Sequence, residues 1–440
     1  MRKFLLPILF LSLVASCGED DPVVEPVPEP DPEPVVKPEP EPEPEPEPVP
    51  TFDSEFVAAK VDINTAGSVP VVEKKTWIDC TVSLAGAANP EWDFTELSAQ
   101  IRGRGNSTWL WYPKKPSRVK FAKKQAFMGL TATKQWAFLA EYRDPTDLMN
   151  TFVFELGQMM GLPFTNGNRY VELTLNGDFL GLYHVTEQIK VASGCVDIDD
   201  VNGYLLSLDR DDGPELAPEE SDNFWSEVYG MPVCVKSPED LPAEGMAKAK
   251  AELAVLENAI KSRKYADIAA LLDIPSMIDY LIIQELVYNV EMDAPRSVYM
   301  HRDAGKKWFM GPLWDFDAGF DFDWNNMTKS HNYFADYREL VYGTNPATHA
   351  GTIYNVPGFF SDLFRIPQFV KEYQARWKEV SPMVSKAMDR SEQFYKANEA
   401  AFARDASRWP ISCNYVNEIP RMRSWLDSRV AFLNDVIANY

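Results

Sequence analysis

Histidine is almost missing from this chain, which carries four among 440 residues. None of the four stands in a His-Glu-x-x-His spacing, which argues against a zinc centre. Cysteine is nearly as scarce: five occur, none in Cys-x-x-Cys spacing. Cys80, Cys195, Cys234 and Cys413 are free to pair outside the cytosol, and the sequence leaves their connectivity open. The apolar run from Phe4 to Val14 is too short to span a bilayer. Cations are outnumbered 43 to 66, giving a net charge of −23. No basic face is evident, so nucleic acid is not an expected partner.

What is present divides the chain in three. Met1 to Cys17 reads as an export signal, with Arg2 and Lys3 ahead of an apolar core. Leu13-Val-Ala-Ser-Cys17 resembles a lipobox, which makes Cys17 the expected lipidated residue; an ordinary secretory signal is the alternative. Gly18-Glu-Asp-Asp21 resembles the surface-export signals of some Gram-negative lipoproteins. The expected location is therefore the cell envelope, on the outer face of an outer membrane. Residues 18–50 alternate Glu and Pro and carry roughly half of the net charge. Proline fixes φ and like charges repel, so this tract reads as an extended linker. Residues 51–440 hold the folded part, and the 12 % aromatic content of the whole chain belongs to a packed protein.

In that part, short β-like runs come first: Phe56–Ile63, Val69–Val72, Thr76–Val82, Ser117–Phe121 and Trp136–Leu139. A helix is expected over Pro145–Met160, with Asp144 as its cap and Gly161 as its stop. Arg169–Leu175 and Phe179–Val185 read as a hairpin across Asn176-Gly177. Gly203–Asp209 is a further strand and Glu215–Asp222 an acidic loop. Helices follow at Glu244–Lys261 and Pro275–Tyr288. Arg296–His301 and Lys307–Leu313 form a second hairpin around Asp303-Ala304-Gly305. Helices at Phe359–Phe364, Gln368–Ala387, Arg390–Arg404 and Arg421–Ala438 complete the chain. Strands first and helices later define an α+β fold, β-rich in its N-terminal half and helical in its C-terminal half.

The second hairpin carries the chemistry. It brings Asp293, ahead of its first strand, toward Asp315 and Asp317, behind its second, among Trp314, Phe316 and Phe320. Carboxylates packed against rings call for a cation between them, and Mg²⁺ suits oxygen ligands. A solvated acidic loop is the plainer reading. Lys114, Lys115, Arg118 and Lys120 form the one local cluster of cations, with Arg118 and Lys120 on one strand face. Such a face holds phosphates if it points into a cleft, and is a solvated surface if it does not. Arg104-Gly105-Asn106-Ser107 is an amide-rich turn suited to approach a phosphate. His301-Arg302-Asp303 spells a kinase catalytic triplet, but Trp308 stands where its asparagine belongs, and we read it as coincidence.

Four blocks resemble the CotH kinase family, the spore-coat protein H type of atypical protein kinase. They are Ile101–Trp109 with Lys114–Phe121; Tyr142-Arg-Asp144 with Asn150; Val171–Glu187; and Asp293–Tyr299 followed by Gly311-Pro-Leu-Trp-Asp-Phe-Asp317. Together they span about residues 95–325, with a helical part at about 357–440. The resemblance implies an atypical kinase-like fold binding Mg-ATP and transferring phosphate to Ser or Thr of an envelope or extracellular protein. It implies Asp293 as acceptor of the hydroxyl proton and Asp315 and Asp317 as holders of Mg²⁺. Arg104, Lys115, Arg118 and Lys120 would contact nucleotide, Glu187 would pair with Lys120 or Arg118, and Trp314 would stack on adenine or sit in the core. Family members often carry asparagine after the catalytic-like aspartate, where Arg296 and Ser297 stand here. The alternative is a surface lipoprotein that binds glycan or protein without catalysis. A metal-dependent phosphodiesterase or nuclease lacks the histidines such sites recruit.

Overall fold

The alternation of buried and exposed side chains through β1 (Ala59–Thr65) is the unit from which the N-terminal half is built. Val61 and Ile63 point inward from it and Asp62 and Asn64 outward, as the two-residue strand period requires. β2 (Ile78–Ala85), β3 (Phe94–Gly103), β4 (Ser117–Phe127), β5 (Leu130–Leu139), β6 (Arg169–Leu175) and β7 (Asp178–Glu187) repeat the device. These seven strands close into a barrel in the order β1-β2-β3-β4-β5-β7-β6, with β6 returning parallel to β1. Closure leaves no sheet edge unpaired. Inward residues such as Val82, Ile101, Val119, Phe121, Trp136, Phe138 and Val185 fill it. A short helix, α1 (Ser107–Trp111), joins β3 to β4.

The computed structural model describes residues 51–323, 333–348, 356–409 and 414–440, and residues 51–440 form one compact unit. Cys17, the Glu-Pro tract and Cys413 lie outside the described residues. Cys80, Cys195 and Cys234 are free thiols, each buried, so no disulfide joins these three.

β6 and β7 meet across Asn176-Gly177, both with positive φ (52° and 85°), as a two-residue primed turn demands. Between β5 and β6, α2 (Met149–Met160) is buried along most of its length. It starts later than the expected Pro145, because Asp144 spends its carboxylate on a preceding turn. Oδ1 accepts from the Thr146 N–H and hydroxyl, and Oδ2 accepts from the Met149 N–H at 2.7 Å. Gly161, at φ 78°, ends the helix.

A second sheet runs in the order β12-β11-β8-β10-β9. Its members are β8 (Tyr204–Leu208), β9 (Asn223–Trp225), β10 (Pro232–Ser237), β11 (Val298–Arg302) and β12 (Trp308–Met310). β11 and β12 are the second hairpin, each shorter than expected, while Val69–Val72 forms no strand. Helices α3 (Ala243–Ser262) and α5 (Ile274–Leu286) follow β10, with a short α4 (Tyr265–Leu271) between them. A one-turn α6 (Gly358–Ser361) leads into α7 (Pro367–Ala397), a single helix of 31 residues where two were expected. The apolar stripe of α7, Phe369, Tyr373, Trp377, Val380, Val384 and Met388, holds one face to the core past Pro382. α8 (Glu399–Arg408) packs on β7, and α9 (Tyr415–Ala438) packs on α7.

One buried ion pair ties α5 to α9. Arg429 Nη2 donates to Glu285 Oε1 at 2.9 Å with both side chains at 0 % exposure. Glu285 also accepts from the Val341 and Tyr342 N–H groups, and the Arg429 guanidinium reaches the carbonyls of Leu286, Tyr337 and Glu339. The turn carrying Asp315 and Asp317 sits against the same region, since Phe320 N–H donates to Val287 O.

Candidate functional site

After β12 the chain runs through Leu313-Trp-Asp-Phe-Asp317, a turn that buries Leu313 and Phe316 completely. Asp315 takes φ 64°, a left-handed conformation that aspartate tolerates better than most residues. Phe316 N–H donates to Asn150 Oδ1 at 2.8 Å, which fixes the turn to α2. Asn150 Nδ2 in turn donates to both Glu141 oxygens, and Glu141 Oε1 meets His184 Nδ1 at 2.9 Å. Asp315 and Asp317 thereby line a small pocket with Arg104, Glu141, Asn150 and Trp314.

Charge is unevenly matched in this pocket. Burial, reinforced by Asp317, pushes the Asp315 carboxyl up to about 7 against the opposing pull of Arg143 and Arg104. Asp317 Oδ1 accepts from Arg143 Nη2. Burial disfavours the Arg143 cation, yet Asp317 and its acidic neighbours together keep it firmly charged. Asp315 Oδ2 also accepts from the Ser297 hydroxyl at 3.3 Å. Glu291, in the short 3-10 turn Val290–Met292, is held well above the carboxylate range by burial and then by Asp315. Its Oε2 is buried with no hydrogen-bond partner among the described residues.

The outer face of the barrel contributes the opposite charge. Arg102 on β3 pairs across with Arg118 on β4, two like charges that a sheet normally keeps apart. Arg102, Arg118 and Lys120 gather around the Trp77 ring at 4.6, 5.9 and 5.7 Å from its centroid. Arg104, two residues beyond Arg102, lies 5.2 Å from the Trp314 ring. Burial, then Arg102 and Arg104, lowers Arg118 to about 10. None of these four cations has a salt bridge among the described residues, although most other arginines do. Nε of Arg102 and of Arg118 is buried without an acceptor among the described residues. Like charges crowded together and short of acceptors describe a surface suited to an anion.

Of the residues singled out from sequence, the structure brings Arg104, Trp314, Asp315 and Asp317 together in the pocket. Arg118 and Lys120 share the outer barrel face with Trp77. Trp314 is 6 % exposed, stacked on Phe154 on one side and facing Arg104 on the other. Lys115 and Glu187 are placed elsewhere. Lys115 turns away, donating to Trp109 O at 2.5 Å and lining a separate cavity. Glu187 accepts from the Gly167 N–H at 2.9 Å and from the Thr186 hydroxyl, and the expected ion pair with Lys120 or Arg118 is not formed. The reason is register: Glu187 stands opposite Trp136 on β5, while Lys120 stands opposite Gln135. Asp293 is half-buried and acts on Arg210, whereas Glu291 is the carboxylate that feels Asp315 and Asp317. His301 and Asp303 stay within the hairpin, bonded to Gly311 O and to Ala304 N–H.

Sequence reasoning passed over Arg102, Trp77, Arg143, Glu141 and Glu291. Arg102 and Arg104 stand two apart around Gly103, a same-face signal on any strand. Glu291 carries no such signal, because only the 3-10 turn directs it inward.

A seven-stranded barrel whose outer face gathers cations without salt bridges, near a turn of buried carboxylates, defines an α+β protein with a mixed-charge cleft. The chain belongs to the CotH kinase family: the family model described as CotH kinase protein matches residues 101–433. The match runs from within β3 through the pocket into α9. No curated protein matches the chain.

Proposed function

We propose that this protein binds Mg-ATP in the cleft and transfers phosphate to Ser or Thr of an envelope or extracellular protein, while held to the membrane through lipid on Cys17. The observation carrying the nucleotide part is the set Arg102, Arg104, Arg118 and Lys120, none with a salt bridge among the described residues, of which Arg104 reaches the pocket of Asp315 and Asp317. Polyphosphate supplies the missing charge, with the arginines offering bidentate contacts.

Among the described residues no three carboxylates, histidines or cysteines are gathered closely enough to hold a metal ion by themselves, so Mg²⁺ would rely on one or two carboxylates together with phosphate oxygens. Asp315, Asp317 and Glu291 are buried oxygen donors, two of them raised above the ordinary carboxylate range chiefly by burial, and Glu291 Oε2 has no hydrogen bond among the described residues. When bound, Mg²⁺ would neutralise phosphate charge at these residues. Asn150 and Glu141 keep the Asp315–Asp317 turn in place, and the arginines orient the phosphate chain. The proton of the attacking hydroxyl would pass to a carboxylate of the 291–293 segment, Asp293 being the more exposed.

One observation favours a second reading, a surface lipoprotein that binds without catalysis. Arg143 occupies Asp317 Oδ1. Calorimetry decides between them. Mg²⁺-dependent ATP binding, lost in an Asp315→Asn, Asp317→Asn variant, supports the kinase reading, and absence of binding in both proteins refutes it.

A further inference from the structure

The nucleotide reading uses Arg102, Arg104, Arg118 and Lys120 and leaves the far end of the same strands unexplained. β4 runs on from Lys120 to Lys124, and β5 brings Lys134 alongside. Gln125 pairs with Thr133, so Lys124 and Lys134 stand on adjacent strands, each one residue from that pair. Both are exposed. Lys190, half-buried, arrives from the loop behind β7, where Gln188 N–H donates to Gln135 O, beside the pairing of Gln135 with Lys120. Burial lowers the affinity of its ammonium for a proton, and Arg118, Lys124 and Lys134 push the same way against Cys195. The three lysines therefore form one group with Arg118.

Nothing described in the fold answers this charge. Lys124, Lys134 and Lys190 have no salt bridge among the described residues, and with acids outnumbering bases 66 to 43 the lack is not for want of carboxylates. A sheet normally keeps like charges apart, yet this one gathers them twice, Arg102 opposite Arg118 and Lys124 beside Lys134. Carboxylates stand at the borders instead. Asp79 is held by Gln100 Nε2 at 2.8 Å, across β3 from Lys120, and Glu239 acts on Arg118. Lys124 lies six residues beyond Arg118, up to about 20 Å along a strand. A triphosphate seated at the Arg104 end is much shorter than that, so the lysine end is left for a second anion.

We propose that the lysine end docks an acidic, extended segment of the protein phosphoacceptor, whose hydroxyl then lies toward the Asp315 pocket. The acceptor role rests on the kinase reading above, and the affinity for an acidic chain rests on the lysines alone. An extended chain repeats its side chains on one face about every 6.8 Å, the spacing at which one strand face presents Arg118 and Lys120. The strip then spans roughly six residues of such a chain. Single-stranded nucleic acid asks for rings free to stack between the cations. Trp77, the ring among these cations, is already covered by Arg102, Arg118 and Lys120. A flat anionic membrane would press its headgroups onto Asp79 and Glu239 as well as onto the lysines, which a single chain avoids.

The test uses the purified protein and fluorescein-labelled peptides carrying one Ser preceded or followed by six Glu, with six Gln in the controls. Anisotropy at low salt reports peptide binding, and calorimetry reports Mg-ATP binding in the same samples. The expected result is binding of Glu peptides only, weakened about fivefold in a Lys124→Gln, Lys134→Gln variant that still binds Mg-ATP normally. A Lys371→Gln, Lys378→Gln variant, which removes the same charge from exposed positions on α7, should bind the Glu peptides as the native sequence does. Phosphate transfer from ATP should be faster to Ser of a Glu peptide than to Ser of its Gln control. Mg-ATP binding with no preference for Glu, or equal loss in the two variants, overturns the docking proposal and leaves the kinase reading intact. Tighter binding of a single-stranded oligonucleotide or of phosphatidylglycerol vesicles, lost in the Lys124→Gln, Lys134→Gln variant, overturns the protein occupant. Glu-peptide binding without Mg-ATP binding overturns the acceptor role and the kinase reading together.

Discussion

Replacing Asp315 by Asn should make the protein more stable, although the residue sits at the centre of the candidate site. The folded state raises this carboxyl from 3.8 to about 7, chiefly through burial and then through Asp317. Arg104 and Arg143 pull the other way and lose, so the ionised form is a net burden on the fold. A tenfold change in proton affinity corresponds to about 1.4 kcal/mol, which sets a ceiling of roughly 4 kcal/mol. Asp317 shares the repulsion, so a gain of about 2 kcal/mol at pH 8 is the working expectation. Asparagine tolerates the φ of 64° as well as aspartate does, and it keeps an oxygen for the Ser297 hydroxyl.

The dependence on pH carries the stronger test. Between about pH 4 and pH 7 the folded protein holds a proton on Asp315 that the unfolded chain has released. Stability of the native sequence therefore falls as pH rises through that window and levels off above it. Asp144, also raised to about 7 by burial and by Glu141, adds a slope of the same sign in both proteins and cancels from their difference. Urea unfolding at pH 4.5 and pH 8 in EDTA should show the two proteins nearly equal at the lower pH and separated at the higher. Added Mg²⁺ should then stabilise the native sequence and not the variant, by mass action on the folded state. A variant less stable than the native sequence at pH 8, or an equal gap at both pH values, refutes the reasoning.

Arg429→Met should cost about 3–5 kcal/mol, because it strands Glu285 in the core, and adding Glu285→Gln should recover part of that in thermal unfolding. Recovery of nothing would show that the carbonyl contacts of Arg429, and not its charge, carry the effect. Glu291→Gln should weaken Mg²⁺-dependent ATP binding about tenfold or more in calorimetry, while Asp293→Asn should leave binding alone and lower only turnover. The reverse pattern would mean that Asp293, and not Glu291, serves the metal. Lys114→Met should destabilise by about 3 kcal/mol or more, since Lys114 Nζ meets Asp405 Oδ1 at 2.9 Å with both side chains at 1 % exposure. Circular dichroism melts check it, and a neutral result would mean that the attraction of the pair only offsets the cost of burying it. Gly181→Ala should be poorly tolerated, because an added Cβ would stand 2.1 Å from Asp405 Oδ1 at a φ of 104°, and soluble yield with melting temperature reports it.

Local chemistry was legible and long-range pairing was not. Asn176-Gly177 announced its hairpin because only a few residues accept two successive positive φ values. β10, Pro232–Ser237, escaped notice although it lies inside the second sheet between β8 and β9, since a short apolar run has no period to read. α7 continued past Pro382 because its apolar stripe is buried on both sides of the proline, a tertiary gain that local propensity does not record. The same division explains the site. Asp315 and Asp317 stand in a motif whose spacing puts both on one side of a turn, with Phe316 on the other. The partners that set their chemistry, Arg143, Glu141 and Glu291, arrive from distant parts of the chain. Their identity follows from which face of each segment the core turns inward. Glu187 makes the point in reverse. One step of register, Trp136 in place of Gln135, separates a kinase-like ion pair from a carboxylate that only caps a loop. Charge alone in a sequence therefore names candidates for a cleft, and the strand register decides which of them meet.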